Sequence, residues 1–365
     1  MKTITAILPG LIQVILMLCL PAREALTAAW PVLKRYDEQH LARIAMPIGG
    51  IGTGTVSLGG RGNLQDWEIM NRPAKGFNPG ESSCAPHFVL YMEQNGNKQL
   101  RLLEGPVPVE YYEGASGVHK VGNHGWPRFA HASFSTAYPF AQVHLTDPTL
   151  PVSVTIKGFN PLLPNDCENS ELPIACLRFE IKNNSSDPVT ISVCGSMQNF
   201  IGEDGNRGKA LKNFNAWYRS DHLQGIRMSS LGVDAASEQW GTMALLCDGH
   251  GHVTCRTNWK RFHWGSAQLD YHDDLLEDGE LSDRPATDEA KPMASLAVKQ
   301  TMSAGETVSV PFYICWHFPN RFAWSSSCVG NHYTTRFKDA CDVAEKTVAR
   351  LPELEAKTIE FVKDR

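Results

Sequence analysis

Residues 46–71 read MPIGGIGTGTVSLGGRGNLQDWEIMN, and seven glycines fall within the first seventeen of them. Glycine at this density is typical of backbone at positive φ or in close approach to another surface. The stretch is not a nucleotide-binding loop, because it contains neither GxGxxG opening a helix nor GxxxxGK[ST]. The residues that follow, from Thr55 to Gly60, are β-branched and broken by glycine, and they predict strand and turn.

The rest of the chain is dominated by short runs with a period of two, which predict half-buried strands. The clearest runs are residues 141–145, 152–156, 177–182, 189–193, 243–247, 295–300 and 308–314. A cluster of turn-forming residues from Asn183 to Pro188 is expected to join two of these strands as a hairpin. Many short strands and few helical segments predict a mainly β fold, a large antiparallel sandwich of two sheets.

The carboxy-terminal residues are different. From Tyr333 to Arg350 apolar residues recur at spacings of three and four, and the pattern resumes at Leu354 after a break at Leu351-Pro352. This predicts an amphipathic helix, whose apolar stripe needs a partner surface. The helix either folds back on a sheet or leads into a further helical domain. Because no Gly or Pro stop signal precedes Arg365, the chain is expected to be truncated before such a domain.

Several stretches resemble the amino-terminal domain of glycoside hydrolase family 116, the family of the non-lysosomal glucosylceramidase (bile-acid β-glucosidase) and its bacterial β-glucosidase relatives. In the first stretch the matching residues are Pro47, Gly49, Gly50, Ile51, Gly52, Gly54, Arg61, Gly62 and Trp67. Further matches are residues 138–141, 150–152, 159–164, 170–175, 183–187 and 311–319. The resemblance covers about residue 45 to the carboxy terminus.

This resemblance implies a two-sheet supersandwich followed by an (α/α)6 toroid that carries the nucleophile and the acid/base carboxylates of a retaining β-glucosidase. Together with the leader described below, it divides the chain into a signal peptide (1–29), the sandwich domain (30–325) and a helical linker or start of the catalytic domain (326–365). The carbohydrate substrate would be engaged through the missing toroid, so no catalytic residue is expected in this chain. Residues 66–73 depart from the basic-Trp-Gln sequence of the glucosylceramidase branch, which leaves another β-linked sugar open.

The first residues have the order of a secretory signal peptide. Lys2 precedes an apolar stretch from Ile4 to Leu20, and small residues follow up to Ala28 and Ala29, where cleavage is expected. The protein is therefore predicted to be secreted or periplasmic. An uncleaved membrane anchor is the alternative, but the apolar run is short of about 20 residues and is interrupted by Pro-Gly, so no stable membrane span is expected.

Asp66 and Glu68 are the candidate carboxylates within the chain. On a strand, residues two apart face the same way with their Cα atoms about 6.6 Å apart, which suits the acid and nucleophile of a glycosidase. Two other interpretations stay open: ion pairs with Arg61 or Arg72, or a place in the cleft between the two domains.

For that substrate or interdomain cleft the sequence offers Arg61, Asp66, Trp67, Glu68 and Trp126. Most tryptophans are expected in the core, because large aromatic residues dominate sandwich cores. Trp126, Trp259 and Trp264 lie in loop-like sequence and are the ones expected to be exposed, where an aromatic face could stack on a sugar ring.

Composition excludes several other classes of function. The net charge is -5 and basic residues are scattered, so no nucleic-acid partner is expected. The acidic run from Asp270 to Asp288 is expected to be a solvated loop, since it lacks EF-hand spacing. The residues around His250 and His252 lack zinc-ligand spacing, and we expect no metal and no cofactor. Nine cysteines follow the leader, an odd number, and Cys167–Cys176 or Cys247–Cys255 could pair or remain free.

Three hypotheses follow. The chain is the amino-terminal domain of a secreted β-glycosidase, a self-standing β-sandwich that binds glycan or a partner without catalysis, or an independent hydrolase that uses Asp66 and Glu68.

Overall fold

The computed structural model describes residues 29–70, 72–80, 85–112, 121–123, 125–260, 266–284 and 289–364. Most of the predicted signal peptide and Trp264 lie outside the described residues. Within them, 17 strands form three antiparallel sheets. No helix among the described residues is long and apolar enough to cross a membrane.

Two of the sheets form the body of the domain. The nine-stranded sheet has the order β1 (Lys34–Tyr36), β7 (His131–Ala137), β8 (Phe140–Thr146), β9 (Val152–Phe159), β10 (Ile174–Asn183), β17 (Thr307–His317), β14 (Thr242–Cys247), β13 (Gln224–Ser230) and β12 (Asn213–Arg219). The five-stranded sheet has the order β15 (His252–Arg256), β16 (Met293–Met302), β11 (Val189–Gln198), β5 (His87–Gln94) and β6 (Asn97–Leu102). All seven strands predicted from the period of two are present.

The main core lies between these two sheets. Phe88 of β5 packs against Phe179 of β10, with ring centroids 4.6 Å apart, and against Phe312 of β17 at 5.1 Å. All three side chains are buried. The predicted antiparallel sandwich of two sheets is confirmed. A third sheet, β2 (Ala45–Ile48), β3 (Val56–Gly59) and β4 (Leu64–Gln65), carries the glycine-rich stretch.

The predicted hairpin is wrong. β10 pairs with β9 and β17, whereas β11 pairs with β5 and β16, so the turn between them passes from one sheet to the other. The side-chain amide of Asn183 closes this connection by donating to the carbonyl oxygens of Asp187 and Ser303 at 2.8 and 3.0 Å. Turn-forming residues occur in a connection between two sheets as well as in a hairpin. Only the pairing of each strand with strands distant in sequence shows which of the two connections forms.

The carboxy-terminal helices cover the outer face of the nine-stranded sheet, and an earlier helix packs on the five-stranded sheet. After the one-turn helix α1 (Cys167–Ser170) and α2 (Ser266–Asp278), the chain ends in α3 (Ala340–Thr347), a 3-10 turn (Val348–Arg350) and α4 (Leu351–Lys363). The apolar stripe of α3 and α4 packs on the sheet in a second buried cluster. The predicted helix therefore folds back on a sheet. The predicted break at Pro352 is the first turn of α4. Proline is tolerated there because the backbone N–H groups of the first turn have no acceptor within the helix.

The predicted acidic loop is wrong over its first half, which is helix α2. Asp270 and Asp274, one turn apart, share a face of this helix and pair with the guanidinium of Arg256 at 2.7 and 2.6 Å. Arg256 lies on β15 with a side chain that is 0% exposed. The acidic residues are therefore partners of a buried cation, which the local sequence did not indicate. Residues 285–288 lie outside the described part of the chain.

The predicted disulfides and exposed tryptophans differ from those in the structure. The eight cysteines of the described residues are free thiols, so neither considered disulfide forms. Trp259 is buried and stacks on Tyr271 of α2 with ring centroids 4.3 Å apart, so its predicted exposure is wrong. Trp324, not singled out by the sequence, is fully exposed.

Candidate functional site

The glycine-rich loop joins β2 to β3 and is fixed to the core. Gly49 has φ +142°, and a Cβ there would lie 2.5 Å from the carbonyl oxygen of Gly54, so the two ends of the loop touch. Thr53 closes the turn through its hydroxyl, which donates to Gly50 at 2.9 Å. The indole of Trp316 donates to the carbonyl of Thr53 at 2.8 Å. These hydrogen bonds hold the loop in one conformation against the core.

Asp66 and Glu68 do not lie on a strand as predicted. Strand β4 ends at Gln65, and Asp66 has φ +52°, a left-handed conformation that aspartate adopts more readily than most residues. Trp67 is 1% exposed and packs edge-on against Phe200 in the core.

The two carboxylates nevertheless converge on one cation, Lys75. Its Nζ lies 3.4 Å from Oδ2 of Asp66 and 3.2 Å from Oε2 of Glu68. The remaining oxygens accept backbone N–H groups at 2.7 Å, Asp66 from Gly76 and Glu68 from Ala74. Each of the four carboxylate oxygens thus has a donor from this chain. Burial acts to lower the pKa of Lys75, but the hydrogen bond that Lys75 donates to Glu68 and the charge of Asp66 outweigh it and raise that pKa.

The arginines predicted as partners of this pair bind elsewhere. Arg61 forms an ion pair with Glu104, which Arg128 also contacts through Nε at 3.0 Å. Burial acts to raise the pKa of Glu104, but the two guanidinium groups outweigh it and hold the pKa below its ordinary value. Arg72 pairs with Glu238, and Glu238 also accepts the N–H of Phe322 at 2.8 Å.

Trp126 and Glu68 line different pockets. Arg128 donates to the carbonyl of Trp126 at 3.3 Å, so Arg61 is linked to the Trp126 backbone through Glu104 and Arg128. The half-buried indole lines a recess with Pro106, Pro127 and Phe129. The five residues proposed for one cleft therefore lie at two separate sites and, in the case of Trp67, in the core, and their role in a cleft remains a prediction.

A pocket of about 300 Å³ opens at the glycine-rich loop. This glycine-loop pocket is lined by Pro47, Gly49, Gly50, Ile51, Gly52, Gly54, Thr55, Glu68, Arg72, Pro73 and Tyr138. Tyr138, on the turn between β7 and β8, is 50% exposed. Sequence reasoning missed Tyr138 as a site residue, although it lies in a stretch that matches the family.

A second, larger groove of about 550 Å³ lies between the nine-stranded sheet and the carboxy-terminal helices. At its base Glu355 of α4 accepts hydrogen bonds from both Nη atoms of Arg178 at 2.9 and 3.1 Å and from the indole of Trp30. Asp248 and His250 line its edge. Among the described residues, no three His, Cys, Asp or Glu side chains converge to hold a metal ion.

Fold and site together define a sandwich domain whose candidate carboxylates are bound by its own lysine and backbone. Residues 45–354 match the family described as beta-glucosidase 2, glycosyl-hydrolase family 116 N-term. The chain therefore belongs to glycosyl-hydrolase family 116, in the part that forms its amino-terminal domain.

Two solved structures show a distant similarity. A putative kojibiose phosphorylase from human microbiome shares 10% identity at a TM-score of 0.39, over 87% of this chain and 35% of its own. A polysaccharide lyase shares 10% identity at a TM-score of 0.34, over 80% of this chain and 33% of its own. The chain thus spans about a third of the length of each. Similarity at this level does not define a shared activity.

Proposed function

We propose that this chain is the non-catalytic amino-terminal domain of a secreted, β-glucosidase-like glycoside hydrolase. The observation that carries the proposal is the state of Asp66 and Glu68, whose four oxygens all have donors from Lys75 or from backbone N–H groups. A glycosidase needs one carboxylic acid that can reach and protonate the glycosidic oxygen, and a second carboxylate opposite it. Two carboxylates that form ion pairs with the same lysine are typical of a structural role.

In this proposal the reaction takes place on an (α/α)6 domain that supplies the nucleophile and the acid/base. The substrates are β-glucosides or glucosylceramide-like glycosides, hydrolysed with retention. Secretion would follow removal of residues 1–29. This boundary is supported by Trp30, which is 5% exposed and packs on Phe140 at 4.8 Å, so cleavage before it leaves the packed domain whole.

The test is a hydrolysis assay with p-nitrophenyl β-D-glucopyranoside. The purified chain is measured alone and fused to an (α/α)6 catalytic domain of the family. We expect no turnover by the chain alone and turnover by the fusion. Turnover by the chain alone that Asp66→Asn abolishes would overturn the proposal and identify an independent hydrolase.

A self-standing glycan-binding sandwich is the second candidate, and one observation favours it. The apolar faces of α3 and α4, including Val343 and Leu354, are buried against the chain's own sheet and do not require a further domain to cover them. A separately produced catalytic domain distinguishes the two candidates. The first predicts that it binds this chain in sedimentation velocity, and the second predicts that it does not.

A further inference from the structure

We propose that the glycine-loop pocket binds one pyranose ring of a β-linked glucan, with Tyr138 as the stacking surface and Glu68 and Arg72 as the hydrogen-bonding groups. The inference rests on the proposed function, which makes carbohydrate the ligand class. It assigns to this domain a sugar subsite built from its own residues.

The size of the pocket fits a single ring. Its volume of about 300 Å³ lies at the lower end of the range of about 300–1,000 Å³ for small-molecule sites. Such sites combine an apolar wall with a few fixed polar groups. Pro47 and Ile51 supply apolar wall here, and Glu68 and Arg72 are the charged residues among the lining.

Tyr138 supplies the aromatic face. It is 50% exposed and lies with Pro139 in the turn between Ala137 and Phe140, which pair with each other at the ends of β7 and β8. An aromatic ring presents a large apolar surface with few rotatable bonds, and the C–H face of a pyranose is the sugar surface that complements it.

Glu68 and Arg72 are fixed before a ligand arrives. Glu68 is held by the N–H of Ala74 and by Lys75, and Arg72 is held by Glu238. An ionised carboxylate offers about four acceptor positions and a guanidinium five donors, so both retain capacity for sugar hydroxyls. Because the groups are already ordered, binding loses little side-chain entropy.

The glycine-rich loop and Glu68 form one rigid wall of the pocket. Thr55 and Glu68 exchange backbone hydrogen bonds, with the Glu68 N–H donating to Thr55 at 2.8 Å and the Thr55 N–H donating to Glu68 at 3.4 Å. Gly54 has φ +94°, and a Cβ there would lie 2.5 Å from the carbonyl oxygen of Glu68. Only glycine lets the loop approach Glu68 this closely.

The test is isothermal titration of the chain with cellotetraose. We expect wild type to bind, Tyr138→Ala to bind at least about tenfold more weakly, and Tyr138→Phe, which keeps the ring, to stay within about twofold. Glu68→Gln, which keeps an acceptor for Ala74 but loses the charge, should weaken binding about tenfold. Trp217→Ala is the matched control, because Trp217 is an exposed aromatic on β12, 39% accessible and outside the pocket. Circular dichroism confirms that each variant is folded.

Two results would overturn the inference: no binding of cellotetraose by the folded wild type, or an equal loss in Tyr138→Ala and Trp217→Ala. The glucoside assay on the fusion separates this inference from the proposed function. If the fusion hydrolyses the glucoside but the chain does not bind cellotetraose, the sugar subsite is overturned and the proposed function is retained. Binding by the chain without hydrolysis by the fusion removes only the proposed function.

Discussion

Glu355→Ala should weaken the attachment of helix α4 to the nine-stranded sheet. The Glu355 side chain is 5% exposed and accepts two hydrogen bonds from Arg178, itself 12% exposed, and one from Trp30. The substitution leaves the Arg178 guanidinium and the Trp30 indole without these acceptors. The three residues come from opposite ends and the middle of the chain, so the change tests how the helix, the sheet and the amino terminus are held together.

The expected loss is about 3 kcal/mol. Removing one partner of a buried ion pair costs about 3–5 kcal/mol, because the other charge stays buried. Arg178 keeps Glu180 at 3.6 Å from its Nε, which places the loss at the lower end of that range. For a domain of this length, an unfolding entropy of about 2.1 cal/mol/K per residue converts the loss into a fall in Tm of about 4 °C.

The assay is thermal unfolding followed by circular dichroism, with Glu353→Ala as the control on the same helix. Glu353 is 61% exposed and pairs with Lys357 one turn away, an arrangement worth about 0.3–0.5 kcal/mol, so its Tm should fall by less than about 1 °C. The double variant Arg178→Met, Glu355→Leu should lose less than the sum of the single variants, since no charge is left unpaired. A fall for Glu355→Ala no larger than for Glu353→Ala would refute this reasoning.

Three further predictions concern other parts of the fold. Asp274→Asn removes one carboxylate from the buried Arg256 and should lower the free energy of unfolding, measured in urea, by about 1–3 kcal/mol. The control Asp273→Asn changes a side chain that is 80% exposed and should alter this free energy little. Equal effects of the two variants would contradict the buried pairing. Glu104 is stabilising above its unfolded pKa, because Arg61 and Arg128 outweigh burial and depress its folded pKa, and this stability is lost as the pH falls through the folded value. In urea titrations, the difference in free energy of unfolding between wild type and Glu104→Gln should therefore stay constant from pH 8 to about 5 and become smaller at lower pH. A difference that becomes larger on acidification would contradict this prediction. Gly54→Ala places a Cβ 2.5 Å from the Glu68 carbonyl at a positive φ and should cost more than about 1 kcal/mol in the same assay, whereas Gly76→Ala, also at positive φ but with open space around it, should cost less.

Local sequence was sufficient for seven of the strands, for the sandwich class and for the carboxy-terminal helix. The alternation along β17 places Phe312 and Ile314 in the core between the sheets and Tyr313 and Cys315 under the terminal helices. The period of a strand or helix is set by its own backbone geometry, so a few neighbouring residues reveal it. The family was likewise indicated by the resemblance of residues 46–71, with their glycines, Arg61 and Trp67, to its amino-terminal domain.

Partners were not evident from local sequence. The turn at Asn183–Pro188 suits a hairpin or a crossing between sheets, and only the pairing of β10 with β17 and of β11 with β16 decided for the crossing. The acidic residues of α2 gave no sign of Arg256, which lies on a different element. Asp66 and Glu68 were expected to pair with Arg61 or Arg72, but the fold gave them Lys75 and gave those arginines to Glu104 and Glu238.

The sequence by itself therefore determined seven of the strands, the carboxy-terminal helix and the apolar faces of these segments, because those properties arise from residues within a few positions of each other. The tertiary structure alone decided that Tyr138 shares a pocket with Glu68 and Arg72, and that Trp30 meets Glu355 across 325 positions of sequence. Contacts at such separations form only when sheets and helices pack as whole units, so neither local propensity nor spacing encodes them.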